Sequence, residues 1–392
     1  MVNLLPAVLI GGPPHAGKSV LFYSLTHALR ERGVRHHAIR ACPDGEGNWF
    51  QELDPDQQTV SLIRSSGKWS PEFVTRICRD LERRYLPLLV DMGGKPREEQ
   101  YAILRQCTHS LLLLRADLEE DDRNWRRYVQ INGLLPLAVV YSEQDGSSVL
   151  KATRPVIEGT ITGLERYHGH RAQGPVFDAL VDRLAALFTS YSDADLDKVL
   201  LDQAPTELVV NLYLSLQAID PSTNWWNHAM LPTLLADLPA ETPLSVYGAG
   251  PHWLYAALSA HAGEQPFYQF DPRLGWIEPL PLRMGEPTFP DLRVQVRGDE
   301  EQTVLSVDIV PKHLEYFQPE PLPFPPVPVE RGLILDGSMP SWLVTALTRF
   351  YQQQGVAWLA CHQPPLKGAI VVASRLPQRA PGDLIPFPLA NL

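Results

Sequence analysis

The segment "AVLIGGPPHAGKSVLFYSL", Ala7 to Leu25, limits what the chain can fold into more than any other stretch. The apolar run Ala7 to Ile10 leads to Gly12, four residues, Gly17, Lys18 and Ser19, which is the P-loop spacing. A segment of helical period then runs from Ser19 to Arg32, where Gly33 ends it. Strand, glycine turn and helix in this order gather backbone N–H groups and the positive end of a helix around an anion. Gly12, His15, Ala16, Gly17, Lys18, Ser19 and Val20 are therefore the candidate contacts to the phosphates of ATP. Lys18 supplies charge and the Ser19 hydroxyl a magnesium ligand.

Such a magnesium ion needs an acid at the end of a second buried strand. "LPLLVDMGG" supplies one, with Leu86 to Val90 as the strand and Asp91 at its end; the other reading of Asp91 is a helix cap. "HHAIRA" reads as another strand. It delivers "CPDGEGNW", in which Asp44 and Glu46 either act on a hydroxyl near the nucleotide, or hold metal, or close an Asx turn. "HSLLLLRAD" and "LPLAVVYSE" read as two more core strands around the charged helix "LEEDDRNWRRYVQ". This alternation predicts an α/β domain with a parallel sheet covered on both faces. Arg115, Arg126 and Arg127 either reach phosphate or are solvated. The helix "PVFDALVDRLAALF" closes the domain near residue 190, and "TSYSDADLDK" reads as a linker.

The second half repeats itself. "LSVYGAGPHWLYAAL" (244–258) aligns without gaps to "LILDGSMPSWLVTAL" (333–347). Gly248, Pro251, Trp253, Leu254, Ala257 and Leu258 recur as Gly337, Pro340, Trp342, Leu343, Ala346 and Leu347. Chance matches leucines, whereas glycine, proline and tryptophan in one register point to a duplicated unit of strand, glycine turn and helix. The turn amides suit a phosphodiester, so Gly248, Gly250, Pro251, His252 and Trp253, with Gly337, Ser338 and Met339, are candidate ligand contacts. The tryptophans also read as core wedges. Beyond the repeat the copies diverge. The first continues to His261, Asp271 and Arg273; the second has Gln363, Pro364 and Pro365 in place of Asp-Pro-Arg. A histidine that moves a proton, an aspartate that orients the attacking group or a metal, and an arginine that offsets charge would cleave a phosphodiester. The plain reading is an Asp-Pro turn beside a surface arginine.

With 392 residues the chain exceeds one ordinary core. A net charge of -11 and a pI near 5.6 argue against a surface that coats double-stranded nucleic acid, while leaving room for a local basic pocket. Cys42, Cys78, Cys107 and Cys361 form no CxxC pair, so a reducing compartment and no structural zinc are expected. No apolar stretch is of membrane-spanning length and no basic leader opens the chain; the expectation is a cytoplasmic protein. "PEPLPFPPVPVE" (319–330) reads as a stiff connection, and "NWWNH" (224–228) as packing aromatics or an adenine-stacking surface.

"YGAGPHWLYAALSAH" followed by "FDPRLG" resembles the CRISPR-associated ring nucleases of the Csx-three kind, and "GSMPSWL" and "GAIVVASR" resemble the same domain's central turn and late strand. "GGPPHAGKS", "PDGEGNW" and "LPLLVDMGG" resemble the ATPase or kinase-like domain fused to that family. The resemblance implies binding and cleavage of cyclic tetra-adenylate in type III CRISPR defence, supported by manganese. Asp271 and Arg273 take the family's acidic and basic positions and His261 a looser third. It also implies a second copy without catalysis, a pseudo-dimer built from one polypeptide, and further self-association. The expected layout is a P-loop domain over 1–190, an α+β ring nuclease-like domain over 205–288 and its degenerate partner over 292–392. Asp44 is the candidate base of the P-loop domain if ATP is consumed there. Other readings remain: ATP merely held, a messenger sponge, a cyclic oligoadenylate-sensing ATPase or kinase without ring cleavage, a metabolic nucleotide kinase, or an exonuclease on adenosine-rich tails.

Overall fold

Continuous burial of Ala7 to Ile10 sets strand β1 (Ala7–Gly11) at the centre of a sheet covered on both faces. In the computed structural model, which describes residues 5–42, 69–94, 96–164, 172–190, 193–309, 314–316, 318, 320–337 and 339–387, the chain is mixed α/β with parallel sheets. The described residues divide between two compact units. One holds 5–42, 69–199 and 272–275, the other 200–271 and 276–387.

In the first unit, β1 is joined by β2 (His37–Arg40), β3 (Leu88–Asp91), β4 (His109–Leu114), β5 (Leu135–Ser142), β6 (Val149–Ala152) and β7 (Ile157–Ile161), in the order β2-β3-β1-β4-β5-β7-β6. All neighbours run parallel except β6. The chain departs from β1 toward β2 and β3 and later from β4 toward β5, so the crevice beyond the C-terminal ends of β1 and β4 is the switch point where α/β sheets take ligands. The helices among the described residues are α1 (Lys18–Glu31), α2 (Pro71–Glu82), α3 (Tyr101–Gln106), α4 (Glu119–Ile131), α5 (Pro175–Phe188) and α6 (Asp193–Leu201). Ser70 caps α2 by accepting from the Phe73 N–H at 3.2 Å, and four acids, Glu119 to Asp122, fill the first turn of α4 where the helix end is positive. The expected linker 189–198 is, from Asp193, the start of α6; Asp197 pairs with Arg35 and Leu200 is buried. A short helix that opens on acids is too brief to display an apolar period. The four cysteines are free, and burial pushes the Cys107 thiol up to about 12.

The second unit contains two sheets of one design. The first has the order β11-β10-β9-β8, from β8 (Val209–Asn211), β9 (Leu244–Tyr247), β10 (Phe267–Asp271) and β11 (Gly275–Ile277). β12 (Leu282–Met284) pairs with β15 (Leu322–Phe324) as a separate ladder. The last sheet, β13 (Leu292–Gly298), β14 (Gln302–Ile309), β16 (Gly332–Asp336), β17 (Trp358–Gln363), β18 (Gly368–Ser374) and β19 (Leu384–Pro386), has the order β13-β14-β16-β17-β18-β19. Helices α7 (Leu212–Ile219), α8 (Leu231–Ala236), α9 (His252–His261) and α10 (Ser341–Gln354) complete the unit.

Strand register is alike in the two repeated segments. Leu244 faces Phe267 across β9 and β10, and its counterpart Leu333 faces Leu359 across β16 and β17. β8, β9 and β10 are parallel neighbours, as are β14, β16 and β17. Gly248 and Gly337 have φ of 111° and 108°, and Pro251 and Pro340 cap their helices with φ, ψ of -69°, 156° and -67°, 149°. Trp253 and Trp342, 1% exposed, are core wedges.

α9 and α10 pack on each other, and each reaches the other copy's strands: α9 lies against β17 and β18, while Ser341 and Thr345 of α10 hold Gln269 of β10. Near the helix C-termini, side chains of α10 reach carbonyls at the end of α9. Arg349 donates to the carbonyls of Ser259 and Gln265 at 3.1 and 2.8 Å, and Gln352 to that of Ala260 at 3.1 Å; Ala260 and Arg349 are themselves equivalents. The C-terminal ends of the two helices thus lie together.

A Cβ on Gly337 would lie 2.1 Å from the Val307 carbonyl oxygen, whereas Gly33, also at positive φ (69°), has open space around it. Gly337→Ala is expected to lose about 3 kcal/mol or more, and Gly33→Ala about 1 kcal/mol. Urea unfolding of the two variants beside wild type, followed by tryptophan fluorescence, checks the ranking.

Candidate functional site

The glycine loop that follows β1 is built from backbone requirements. A Cβ at Gly12 would meet the Leu113 carbonyl oxygen at 1.9 Å, and Gly17, with φ of 87°, starts α1 from the left-handed region. His15 is exposed at φ 63°, while Ala16 and Val20 are buried and can offer only backbone. Lys18 lies across the loop, its Nζ donating to the carbonyls of Gly12 at 2.8 Å and Pro13 at 2.6 Å.

The register that sets Ile10 beside Asp91 brings the acid to this loop. Ser19 Oγ donates to Asp91 Oδ2 at 3.5 Å. Asp91 is 1% exposed, and its Oδ1 has no hydrogen-bond partner among the described residues. A buried carboxylate oxygen left over beside a serine hydroxyl at a helix N-terminus fits a magnesium ion held by few protein ligands and the nucleotide's own phosphates. Arg40, opposite Asp91 in β2, donates from Nε to Asp91 Oδ2 at 3.3 Å and fixes the carboxylate. Sequence reasoning missed Arg40, although a charged residue inside the apolar strand "HHAIRA" was the signal. Arg115 is tied to Asp117, and Arg126 to Asp122 and the Tyr141 hydroxyl. Asp44 lies outside the described residues.

In the second unit the candidate residues gather at the C-terminal ends of the parallel strands. Gly248, Gly250, Pro251 and His252 form the turn into α9; Gly337, Met339 and Pro340 form the turn into α10, with Met339 buried and Ser338 outside the described residues. The Tyr255 hydroxyl donates to the Gly248 carbonyl and pins the first turn. Asp271 ends β10 at 4% exposure. Gln269, two residues earlier and so on the same face, donates from Nε2 to Ser341 Oγ at 2.8 Å and accepts from Thr345 Oγ1 at 2.8 Å. The first turn of α10 thus meets the face of β10 that carries Asp271, and both copies contribute to one edge.

His261 and Asp271 are not brought together. His261 is the last residue of α9, which must run back antiparallel to β9 and β10 to connect them, over about 15 Å for ten residues. The imidazole sits at the opposite end of the sheet, with Nε2 3.0 Å from the Leu238 carbonyl. Arg273 follows in the turn after β10. No group of three or more metal-ligating side chains occurs among the described residues. No described helix is long and apolar enough to cross a membrane.

The second copy holds a polar row that sequence reasoning did not reach. Ser306 Oγ donates to Asp336 Oδ2 at 2.8 Å, and Asp336 Oδ1 lies 2.7 Å from His362 Nδ1. Burial pushes the Asp336 carboxyl up, but the His362, Ser306 and Gly337 hydrogen bonds outweigh it and hold the acid below the usual carboxylate range. At the position equivalent to Asp271 stands Gln363, 4% exposed, whose Oε1 has no hydrogen-bond partner among the described residues.

No curated protein matches the chain. Residues 304–386 match the family model for CRISPR-associated protein (Cas_csx3), a span from β14 to β19 that contains the copy with Gln363 in place of Asp271. The match supports a CRISPR-associated, Csx3-like domain in that part of the chain.

Proposed function

We propose that the second unit binds a cyclic oligoadenylate, cyclic tetra-adenylate the expected ring, and opens it at a phosphodiester, while the first unit binds ATP with magnesium and consumes it. The observation that carries the reading is the pair of equivalent strand, glycine and proline turns, whose helices pack on each other, the second of which lies in the span that matches a CRISPR-associated family. A ring of repeated phosphates suits two repeated clusters of backbone N–H groups at helix starts. Asp271 orients the attacking group, and Arg273, two residues on in the chain, offsets the charge that builds on phosphorus. His261, held at the far end of α9, takes no part in the step.

In the first unit, Lys18 and the loop amides hold phosphate oxygens, and Ser19 and Asp91 would hold magnesium, which supplies charge neutralisation on the transferred phosphoryl group when bound. Lys18 must leave the Gly12 and Pro13 carbonyls to reach the phosphates. The second reading, a sensor that binds the ring without cutting it, is favoured by one observation, the replacement of Asp-Pro-Arg by Gln363, Pro364 and Pro365 in the matched copy.

Radiolabelled cyclic tetra-adenylate incubated with wild type is expected to give linear products. Asp271→Ala is expected to slow cutting by about a hundredfold or more while affinity stays within about threefold. Tight binding of an intact ring by wild type would instead establish the sensor. For the first unit, Lys18→Ala is expected to weaken ATP about 10- to 100-fold, the worth of one to two charge-assisted hydrogen bonds. Asp91→Asn is expected to remove the magnesium dependence of ATP binding. Titration calorimetry with and without magnesium checks both.

A further inference from the structure

Ser306, Asp336 and His362 occupy one register row across three parallel strands. Ser306 faces Asp336 directly, and Leu335 faces Cys361, which sets Asp336 beside His362. In the first copy the same row is Asn211, Tyr247 and Phe270: Asn211 faces Tyr247, and Gln269 faces Val246 one residue earlier. Tyr247 and Phe270 pack edge to face there, with ring centroids 5.2 Å apart. Both copies are polar at the first position, where Asn211 accepts from the Tyr213 and Leu214 N–H groups, but the next two are closed by aromatic packing in one copy and by a carboxylate and an imidazole in the other. A partly buried carboxylate and imidazole carry a desolvation cost that an edge-to-face aromatic pair does not, so the strand pairing itself does not require them.

The geometry is that of an oriented base. Asp336 accepts at Nδ1 of His362, which assigns the proton to Nδ1 and leaves the Nε2 lone pair for an incoming proton. Nε2 makes no hydrogen bond among the described residues. The ring is clamped flat on Phe387, 3.6 Å away at 10°. Ser306 holds the second carboxylate oxygen, so imidazole, acid and hydroxyl are fixed in sequence. The row lies at the C-terminal ends of β16 and β17, directly before the Gly337 turn, whose helix is joined through Ser341 to Gln269 on the Asp271 face.

Resting on the ring-opening reading above, we propose that the copy without Asp-Pro-Arg is not a passive platform and that His362 is a general base for phosphodiester cleavage, with Asp336 and Ser306 as positioning residues. His362 Nε2 takes the proton of a ribose 2′-hydroxyl; the freed oxygen bonds to the adjacent phosphorus as the bond from phosphorus to the 5′ oxygen breaks. The departing 5′ oxygen takes the proton back from His362. The product is a linear oligoadenylate ending in a 2′,3′-cyclic phosphate, with no water consumed and the imidazole restored. The substrate class is therefore an RNA-type phosphodiester with a free 2′-hydroxyl.

The test uses the full chain and radiolabelled cyclic tetra-adenylate, comparing wild type with His362→Ala, His362→Gln, Asp336→Asn and Asp271→Ala, each checked for a wild-type melting transition. Loss of the base is expected to lower kcat by about a hundredfold or more with KM within about threefold, and Asp336→Asn by about tenfold. Imidazole added to the buffer is expected to restore part of the His362→Ala rate and none of the Asp271→Ala rate. If folded His362→Gln cuts within about threefold of wild type, this proposal falls and ring cleavage stands. Failure of imidazole to restore His362→Ala assigns the histidine to structure and also overturns the proposal. Should the His362 variants fail to fold, an unchanged kcat in Asp336→Asn overturns it. If wild type leaves the ring intact, the cleavage reading and the proposal fall together.

Discussion

The second unit depends on the contact between α9 and α10. Ser259 and Thr348, equivalent residues that are both fully buried, turn their hydroxyls back onto the carbonyls of Ala256 and Val344 at 2.8 Å, so each hydroxyl is satisfied within its own helix. With alanine or threonine at the intervening positions Ala256 and Thr345, the helices approach closely, and the donors Arg349 and Gln352 satisfy carbonyls near the end of α9. Everything at the strand edges inherits its position from this seam. The Gly248 and Gly337 turns are the starts of the two helices, and the Gln269 bridge ties the first strand edge to the second helix.

What was legible in sequence was whatever the chain writes locally. The P-loop spacing, the strand ending in Asp91 and the repeat with its glycine, proline and tryptophan are contiguous signals whose geometry follows from backbone rules; Gly12 and Gly337, for example, leave no space for a side chain. Contacts assembled by register between distant strands were not legible. Arg40 meets Asp91 across 51 positions, Ser306 meets Asp336 across 30, and His362 meets Asp336 across 26. Their partners are set only when the parallel order of strands is known. His261 illustrates the reverse error: ten residues separate it from Asp271, but a helix lies before that gap and carries the side chain to the opposite end of the sheet.

The two repeated segments of the second unit carry unlike side chains at equivalent strand ends. One edge carries Asp271 with an aromatic row beside it, the other Gln363 with the Ser306, Asp336 and His362 row. Where the second copy has Asp336 and His362 the first has Tyr247 and Phe270, packed edge to face, while at the first position of the row both are polar, Ser306 in one and Asn211 in the other. The backbone is nevertheless held to within a few degrees at the shared glycine and proline. The frame is conserved between copies by steric demand, whereas side chains at strand ends, free of that demand, have diverged.

Joining both halves in one polypeptide has a consequence for symmetry. In a dimer of identical chains every substitution appears twice, so neither site can be altered alone and assembly depends on concentration. Here the halves meet at an effective concentration fixed by the connecting chain, and each position is written once. A ligand of repeating units laid across them would find two unlike edges, and so would be held in a defined orientation that no pair of identical subunits could impose.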